Sequence, residues 1–256
     1  SPFVYVENDT IVGHDPKDPL IPDAKKKGIK PSKTPLYSDK STNYYGGAKK
    51  AHALYVDEKI GTTLAQKSVA WLKAQKKDKP FFLYLPTTNI HHPFTPAKKF
   101  QGTSECGRYG DFIHELDWIV GEVSKALDDM GVADNTILIF TSDNGGMMNH
   151  GGQDAWRAGH RLNGELLGFK FGIWEGGHRI PMIARWPGKI PAGTTSDQLI
   201  SQVDLMATFA AATGYKLSPT EGLDSFNMLP ALTGSPKEPI RDHLALISSQ
   251  RRAVSI

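Results

Sequence analysis

The chain has 256 residues, of which 39% are hydrophobic and 22% are charged, and its formal net charge is +3. This composition excludes a disordered chain, because the apolar content is enough to bury a core. No apolar run approaches the roughly 20 residues of a membrane-spanning helix, and the first ten residues do not resemble a signal peptide. The single cysteine, Cys106, excludes an internal disulfide framework and a cysteine-rich zinc site.

The charges are too evenly balanced to indicate a nucleic-acid partner, with 30 Lys and Arg against 27 Asp and Glu. Lysines cluster at 25–27, 49–50 and 76–77, which is typical of a solvated basic face. A contact with an anionic polymer is the alternative for such clusters. No RNA-binding motif or zinc-finger spacing accompanies them. We therefore expect no nucleic-acid partner, and no membrane partner either.

Residues 1–53 are rich in Pro, Lys, Asp and Gly and show little hydrophobic periodicity. They are predicted to form a loop-rich segment, followed by a central α/β part of the same domain over 54–256. So long a loop is unusual at the start of a compact domain. We expect the chain to begin in the middle of a larger protein.

The first half of the central part contains two predicted helices and one predicted strand. Apolar residues recur on one helical face over 59–75 and again, more regularly, over 109–130, with Gly131 as the expected stop. Between the helices, the short aromatic run at 81–85 is bounded by prolines, which favours a buried strand.

Further along, the run at 136–140 is apolar and β-branched throughout, which is typical of a strand covered on both faces. Strands are also predicted at 181–187 and 244–247, and a third helix over 199–212. Helices that alternate with strands at these spacings indicate an α/β fold with a mixed, largely parallel sheet flanked by helices.

Polar residues follow two of the predicted strands, where ligands gather in open α/β sheets. The strand at 136–140 runs into Asp143 and Asn144, whose carboxylate and amide oxygens suit Ca²⁺ or Mg²⁺. An ordinary Asx turn would explain the same pair. The strand at 81–85 runs into His91 and His92. On an extended segment these neighbours point in opposite directions, so at most one should face a given site.

A third candidate segment contains Lys170 in a glycine-flanked loop, which suits an anion because ammonium is a compact charge. A solvent-facing loop lysine is the alternative, and His91 would equally fit a surface or packing position. Glu175 and Arg179 are expected to pair with each other rather than to catalyse.

Several familiar catalytic motifs are missing. His114 and Glu115 lack the second histidine of a zinc-protease motif. The sequence also contains no nucleophile elbow, P-loop, EF-hand loop or dinucleotide fingerprint.

In this order and spacing, the segments resemble the sulfatase family, within the alkaline-phosphatase-like superfamily, and its arylsulfatase A and N-acetylgalactosamine-6-sulfatase branch in particular. The resemblance covers about residues 54 to 235. It is carried by KPFFLYL at 79–85, HHPFTP at 91–96, GTS at 102–104, GRYGD at 107–111, TSDNG at 141–145, GFK at 168–170, EGGHRIP at 175–181, WPG at 186–188 and QVDL at 202–205.

The resemblance implies a role for four residues. Asp143 and Asn144 match ligands of the family's divalent cation, usually Ca²⁺, with Mg²⁺ possible. Lys170 matches a lysine that contacts the sulfate, and His91 a histidine that faces the leaving group. The implied activity is hydrolysis of sulfate monoesters, in which the cation and Lys170 neutralise sulfate oxygens and His91 protonates the leaving oxygen.

The chain also departs from the family. The family's nucleophile is a formylglycine made from the Cys or Ser of a C/S-x-P-x-R motif, whereas Cys106 is followed by Gly107 and Arg108. No proline of the chain has Ser or Cys two residues before it. The family's paired N-terminal metal aspartates are absent as well. We therefore expect a central fragment, with the formylglycine in an upstream segment, that is inactive alone and associates with itself or with that segment.

The substrate is expected to be an aryl or carbohydrate sulfate, and the location periplasmic, secreted or lysosomal, again by resemblance. Two alternatives stay open. A phosphodiesterase or other phosphoryl-transfer hydrolase of the same superfamily would share the Asp-Asn loop, although the 168–181 segment favours sulfate. The chain could also be a non-catalytic remnant that binds sulfated carbohydrate.

Overall fold

The computed structural model describes residues 4–15, 17, 54–148, 150–247 and 254–255. The lysine clusters at 25–27 and 49–50, and most of the predicted loop segment 1–53, lie outside the described residues. The chain divides into two compact units. The first comprises 1–123 and 149–160, and the second comprises 124–148 and 161–256.

The described residues form short strands, mostly short helices and one long helix. In chain order they are β1 (Val6–Glu7), β2 (Thr10–Ile11), α1 (Ile60–Lys73), α2 (Gly107–Met130), β3 (Leu138–Thr141), α3 (His150–Arg157), α4 (Glu175–His178), β4 (Met182–Arg185), α5 (Leu205–Thr213), α6 (Leu229–Thr233), β5 (Leu246–Ile247) and β6 (Val254–Ser255). None of the described helices is both long and apolar enough to cross a bilayer.

The predicted helices are confirmed, with differences at their ends that have local causes. Helix α2 stops before Gly131, whose φ of 66° is the left-handed conformation that ends helices. Helix α5 likewise ends at Gly214, with φ of 74°. It begins at residue 205 rather than 199, because Ser201 and Asp204 form a capping box that sets the start of the preceding 3₁₀ turn.

Strands are confirmed at β3 and β4, but the buried strand predicted over 81–85 is wrong. No strand is assigned there, and exposure alternates along the segment. Phe82 is 71% exposed and Tyr84 77% exposed. The aromatic run identified an extended backbone correctly, but strand assignment also needs a hydrogen-bonded neighbour, and none of the described strands pairs with it.

The described strands pair in antiparallel fashion. Strand β3 lies against β4, with Leu138 opposite Arg185 and Thr141 opposite Met182. Strands β1 and β2 form one small antiparallel pair, and β5 and β6 form another. The mixed helix-and-strand architecture is thus confirmed, whereas the largely parallel sheet stays a prediction.

The core of the first unit lies along α1 and α2. Leu72 of α1 and Phe112 and Ile119 of α2 are each 1% exposed. Beyond the helices, the buried Phe94 ring packs edge-on against Tyr109 at 5.5 Å between centroids. The segment that follows His91 is therefore anchored in this core.

The second unit is organised around the fully buried carboxylate of Asp204, just before α5. It accepts hydrogen bonds from the backbone N–H groups of Ser201, at 2.8 Å, and Phe226, at 2.9 Å. Arg241 completes the arrangement with an ion pair of 2.6 Å. This cluster fixes α5 against the segments at 224–228 and 241–243.

Candidate functional site

The predicted metal ligands, Asp143 and Asn144, lie in the loop that leaves β3. The Ser142 hydroxyl donates to the Asn144 carbonyl at 3.0 Å, which tightens the turn from within. From outside, the Gln202 side-chain amide donates to the Ser142 carbonyl. The loop is therefore held on both sides while the Asp143 side chain stays exposed.

Glycine at position 145 lets this loop approach α4 backbone to backbone. The Gly145 N–H donates to the Gly177 carbonyl at 3.0 Å. A Cβ atom at residue 145 would collide with the carbonyl of Gly176. Only glycine fits here, so the Asp-Asn-Gly sequence determines the position of the loop as well as its ligand chemistry.

The segment that carries Lys170 lies against the same loop. The Lys170 N–H donates to the Gly146 carbonyl at 2.9 Å. Asn163 reinforces the contact, because its Oδ1 accepts the Gly146 N–H at 2.7 Å and its Nδ2 donates to the Gly168 carbonyl at 3.0 Å. Within the second unit, the segments that carry three of the four predicted site residues are thus in direct backbone contact.

The Lys170 side chain is half-buried, and its Nζ lies 5.4 Å from the centroid of the Phe171 ring. Phe171 has a φ of 79°, which is uncommon for an aromatic residue and shows how tightly this loop turns. Lys170 makes no ion pair with any carboxylate in the described part of the chain. Its ammonium group is available to an anion.

Asp143 and Asn144 fit a hard cation in chemistry but supply only part of its coordination. Among the described residues, nothing donates a hydrogen bond to the Asp143 carboxylate, and the Asn144 Nδ2 donates to the Gly145 carbonyl at 3.0 Å, leaving Oδ1 as an acceptor. No group of three or more His, Cys, Asp or Glu residues suited to a metal occurs in the described ranges. Since Ca²⁺ takes about 6–8 oxygens, this pair would be a fraction of the shell.

His91 lies in the first unit, exposed, in a turn closed by its own N–H, which donates to the Thr88 carbonyl at 3.0 Å. Its Nδ1 is 2.6 Å from the His92 carbonyl. A carbonyl only accepts, so Nδ1 carries a proton and Nε2 is the nitrogen left to exchange one. Since the other three predicted residues lie in the second unit, convergence of all four stays a prediction.

The expectation that His91 and His92 point in opposite directions is wrong. Their rings stack with centroids 4.3 Å apart and planes 29° apart. The rule of alternation applies to extended strands, whereas residues 91–93 form a bend directly after a turn at 89–90.

Glu175 and Arg179 form the expected pair, an exposed ion pair of 3.2 Å on one side of α4. Cys106 does not fit a formylglycine precursor. It is half-buried just before α2, its N–H donates to the Ser104 hydroxyl at 3.0 Å, and no proline follows it.

Sequence reasoning missed Asn163 and Gln202 as parts of the site. Asn163 precedes a glycine, and this pair indicates a turn. It does not indicate which groups the Asn163 side chain will contact. Gln202 belongs to the family-like segment at 202–205, which does not indicate a partner for its side chain. Both act by holding backbone groups of the Asp143 loop, and nothing in the local sequence indicates such distant contacts.

Residues 25–215 match the family model described as sulfatase. The chain belongs to the sulfatase family. The N-acetylgalactosamine-6-O-sulfatase of Bacteroides thetaiotaomicron is 36% identical over 91% of this chain and 49% of its own length. The chain therefore spans about half of that sulfatase. The family resemblance drawn from the order of the motifs is confirmed.

Solved structures share the fold of this chain. One, from work on the metabolism of multiple glycosaminoglycans by Bacteroides thetaiotaomicron, is 33% identical and superposes with a TM-score of 0.77 over 97% of this chain and 57% of its own. Another is Ps i-CgsB in complex with k-i-k-neocarrahexaose, 30% identical, with a TM-score of 0.61 over 75% of this chain and 42% of its own. The chain has the sulfatase, alkaline-phosphatase-like fold.

Proposed function

We propose that this chain is part of an enzyme that hydrolyses sulfate monoesters. The observation that supports this most is the hydrogen bond from the Lys170 N–H to the Gly146 carbonyl, at 2.9 Å. It joins the loop with hard oxygen donors to the loop with an uncommitted ammonium group. A cation site beside a fixed positive charge suits the hydrolysis of a sulfate ester, because negative charge on the sulfate oxygens must be stabilised in the transition state.

In the proposed enzyme, Asp143 and Asn144 would hold Ca²⁺ or Mg²⁺ together with ligands from other segments. When bound, the cation neutralises sulfate oxygens as negative charge develops. Lys170 would place its ammonium on the sulfate group. Its half-buried stem limits the positions that Nζ can take, which favours one orientation of the anion.

His91 would protonate the leaving alkoxide or phenoxide. Because the Nδ1 proton is committed to the His92 carbonyl at 2.6 Å, His91 would donate as an imidazolium, and the proton transferred would be the one on Nε2. The nucleophilic step is assigned to no residue of this chain, since Cys106 does not fit a formylglycine precursor and no C/S-x-P-x-R motif occurs. For that reason we expect the 256-residue chain by itself to show no sulfatase turnover.

The substrate we propose is a sulfated saccharide, with aryl sulfates as surrogates. Support comes from the saccharide named in the Bacteroides relative and from the oligosaccharide bound to Ps i-CgsB. We further propose that 1–53 and 54–256 belong to one catalytic domain, with a largely parallel sheet in the whole protein. The location of the whole protein would be periplasmic, secreted or lysosomal, as expected for this family.

The experiment is to join the chain to a segment that carries a formylglycine nucleophile. The chain is joined to the N-terminal part of the Bacteroides N-acetylgalactosamine-6-O-sulfatase, matured to formylglycine, and assayed with an aryl sulfate and with N-acetylgalactosamine 6-sulfate. Turnover should appear in Ca²⁺ and fall about 10²–10³-fold in Lys170→Ala. The exposed Lys216→Ala is the matched control and should be nearly silent.

Each other outcome excludes the proposal in a different way. Faster turnover of an aryl phosphodiester than of the sulfate would indicate a phosphodiesterase. Binding of sulfated sugar without turnover, with a formylglycine shown to be present, would indicate a carbohydrate-binding remnant. Equal effects of the two lysine substitutions would remove the role given to Lys170.

A further inference from the structure

Glu115 is a fully buried carboxyl group outside the proposed catalytic set. It lies on the apolar face of α2, between Phe112 and Ile119, and is 0% exposed. Helix α1 covers it from the other side. A Cβ atom added at Gly61 would lie 2.8 Å from the carboxyl carbon, so only glycine permits this approach. The carboxyl group is sealed from solvent between two helices.

The hydrogen bonds around Glu115 leave two acceptors unpaired. The Asn89 side-chain Nδ2 donates to Glu115 Oε2 and to the Phe112 carbonyl, both at 3.2 Å. In contrast, Glu115 Oε1 and Asn89 Oδ1 are buried without a hydrogen-bond partner among the described residues. Both atoms are acceptors if the carboxyl is ionised. A proton on the carboxyl would supply a donor for the Asn89 oxygen.

The surroundings also favour the neutral form. Burial raises the pKa of Glu115, and this outweighs the opposing influence of the Asn89 amide, the Ala97 backbone and the Lys99 ammonium. The charged group that opposes this rise in the pKa is Lys99, which lies in the 3₁₀ turn at 98–100. From helix α1, Gly61 lies against the carboxyl group and brings no charge, and Asn89 is neutral.

Asn89 connects this buried pair to His91. It lies inside the turn that the His91 N–H closes on the Thr88 carbonyl at 3.0 Å, and its amide is what ties that turn to α2. We propose that Glu115 stays protonated, forms a paired acid–amide contact with Asn89, and so positions the turn that presents His91. Glu115 is a positioning residue. The pairing of Glu115 with Asn89 does not depend on the proposed function, whereas its importance for catalysis rests on the role proposed for His91.

The protonation state is tested by replacing the acid with its neutral isostere. Glu115→Gln retains an acceptor for Asn89 Nδ2 and a donor for Asn89 Oδ1. In the wild-type chain the unfolded state releases this proton near its ordinary pKa while the folded state keeps it. Stability should therefore fall as the pH rises from about 4.5 toward the raised folded value. The Glu115→Gln chain should lack this fall, with a urea midpoint above that of wild type at pH 8.

The positioning role is tested on the 256-residue chain by the NMR signal of His91 Hε1, assigned with a His91→Gln variant. The stacked His92 ring shifts this signal by its ring current. Glu115→Gln should leave the signal in place, whereas Glu115→Leu should move it toward the position of an unstacked histidine. Asn89→Ala should move it similarly and serves if Glu115→Leu does not fold. The exposed Asp117→Asn, on the same helix, is the control.

Two results would overturn the proposal. A Glu115→Gln chain that is less stable than wild type at pH 8 would mean that the folded carboxyl is ionised. A His91 signal unmoved by Asn89→Ala and Glu115→Leu would mean that the pair does not position the turn. Neither measurement uses sulfate hydrolysis, so either failure would leave the sulfatase proposal to its own assay.

Discussion

The side-chain oxygen of Asn163 accepts the backbone N–H of Gly146 at 2.7 Å, across 17 residues of sequence. The nitrogen of the same amide donates to the Gly168 carbonyl at 3.0 Å. One side chain therefore satisfies a donor in the Asp143 loop and an acceptor in the Lys170 loop. This bridge adds to the direct hydrogen bond from the Lys170 N–H to the Gly146 carbonyl, so the two loops are held together at two points.

Replacing Asn163 with Ala should separate these loops. Two hydrogen bonds are lost and two backbone groups are left to find new partners, so the free energy of unfolding should fall by about 1–3 kcal/mol. Urea unfolding measures the change. Asn135→Ala removes the same atoms at an exposed site without a side-chain hydrogen bond to the described residues, and should cost less than about 0.5 kcal/mol. Equal losses would contradict the bridging role.

The two glycines at 145 and 121 offer a matched test of backbone packing. A methyl group at 145 would collide with the Gly176 carbonyl, so Gly145→Ala should destabilise the chain by about 1–3 kcal/mol or more. Gly121 is exposed within α2, with nothing within 4 Å of an added Cβ. Gly121→Ala should therefore stabilise the chain by up to about 1 kcal/mol, through helix propensity. Thermal unfolding compares them, and changes of the same sign would refute the packing argument.

Much of the helical structure could be predicted because it is local. The apolar stripe of α2 and the glycines that end α2 and α5 each act within a few residues. The direction of strand pairing could not be predicted in this way, since it depends on a partner strand distant in sequence, as Thr141 of β3 lies opposite Met182 of β4.

The sequence predicts the ligand chemistry of the site, which stays a prediction, but it does not predict the contacts that support the loops. Asp143, Asn144 and Lys170 have the residue types that their chemistry needs, whereas Asn163 acts through contacts distant in sequence. Glu115 did carry a local signal. It is an acidic residue on the buried face of a helix, three residues after Phe112 and four before Ile119, where a charge is costly unless it is paired or protonated.

The ion pair of Asp204 and Arg241 should contribute far more than the pair of Glu175 and Arg179. In the first, the side chains are 0% and 7% exposed and lie 2.6 Å apart. Arg241→Met leaves a buried carboxylate without its cation and should cost about 3–5 kcal/mol. Arg179→Met breaks an exposed pair and should cost less than about 1 kcal/mol. Unfolding free energies that differ by less than about 1 kcal/mol would show that water reaches Asp204.

Tyr109 should make the stability of the chain sensitive to alkaline pH. The residue is 6% exposed, and burial, reinforced by the neighbouring Cys106, raises its pKa to about 12. The unfolded phenol ionises near its ordinary value of about 10, while the folded one keeps its proton, so stability is complete below pH 10 and declines as the pH rises toward 12. Tyr109→Phe should flatten this decline, as followed by urea midpoints between pH 8 and pH 11. Tyr84→Phe, at a site 77% exposed, is the control and should leave the profile of the wild-type chain unchanged. If the stability of the Tyr109→Phe chain fell with pH as steeply as that of wild type, the decline at alkaline pH would come from other groups.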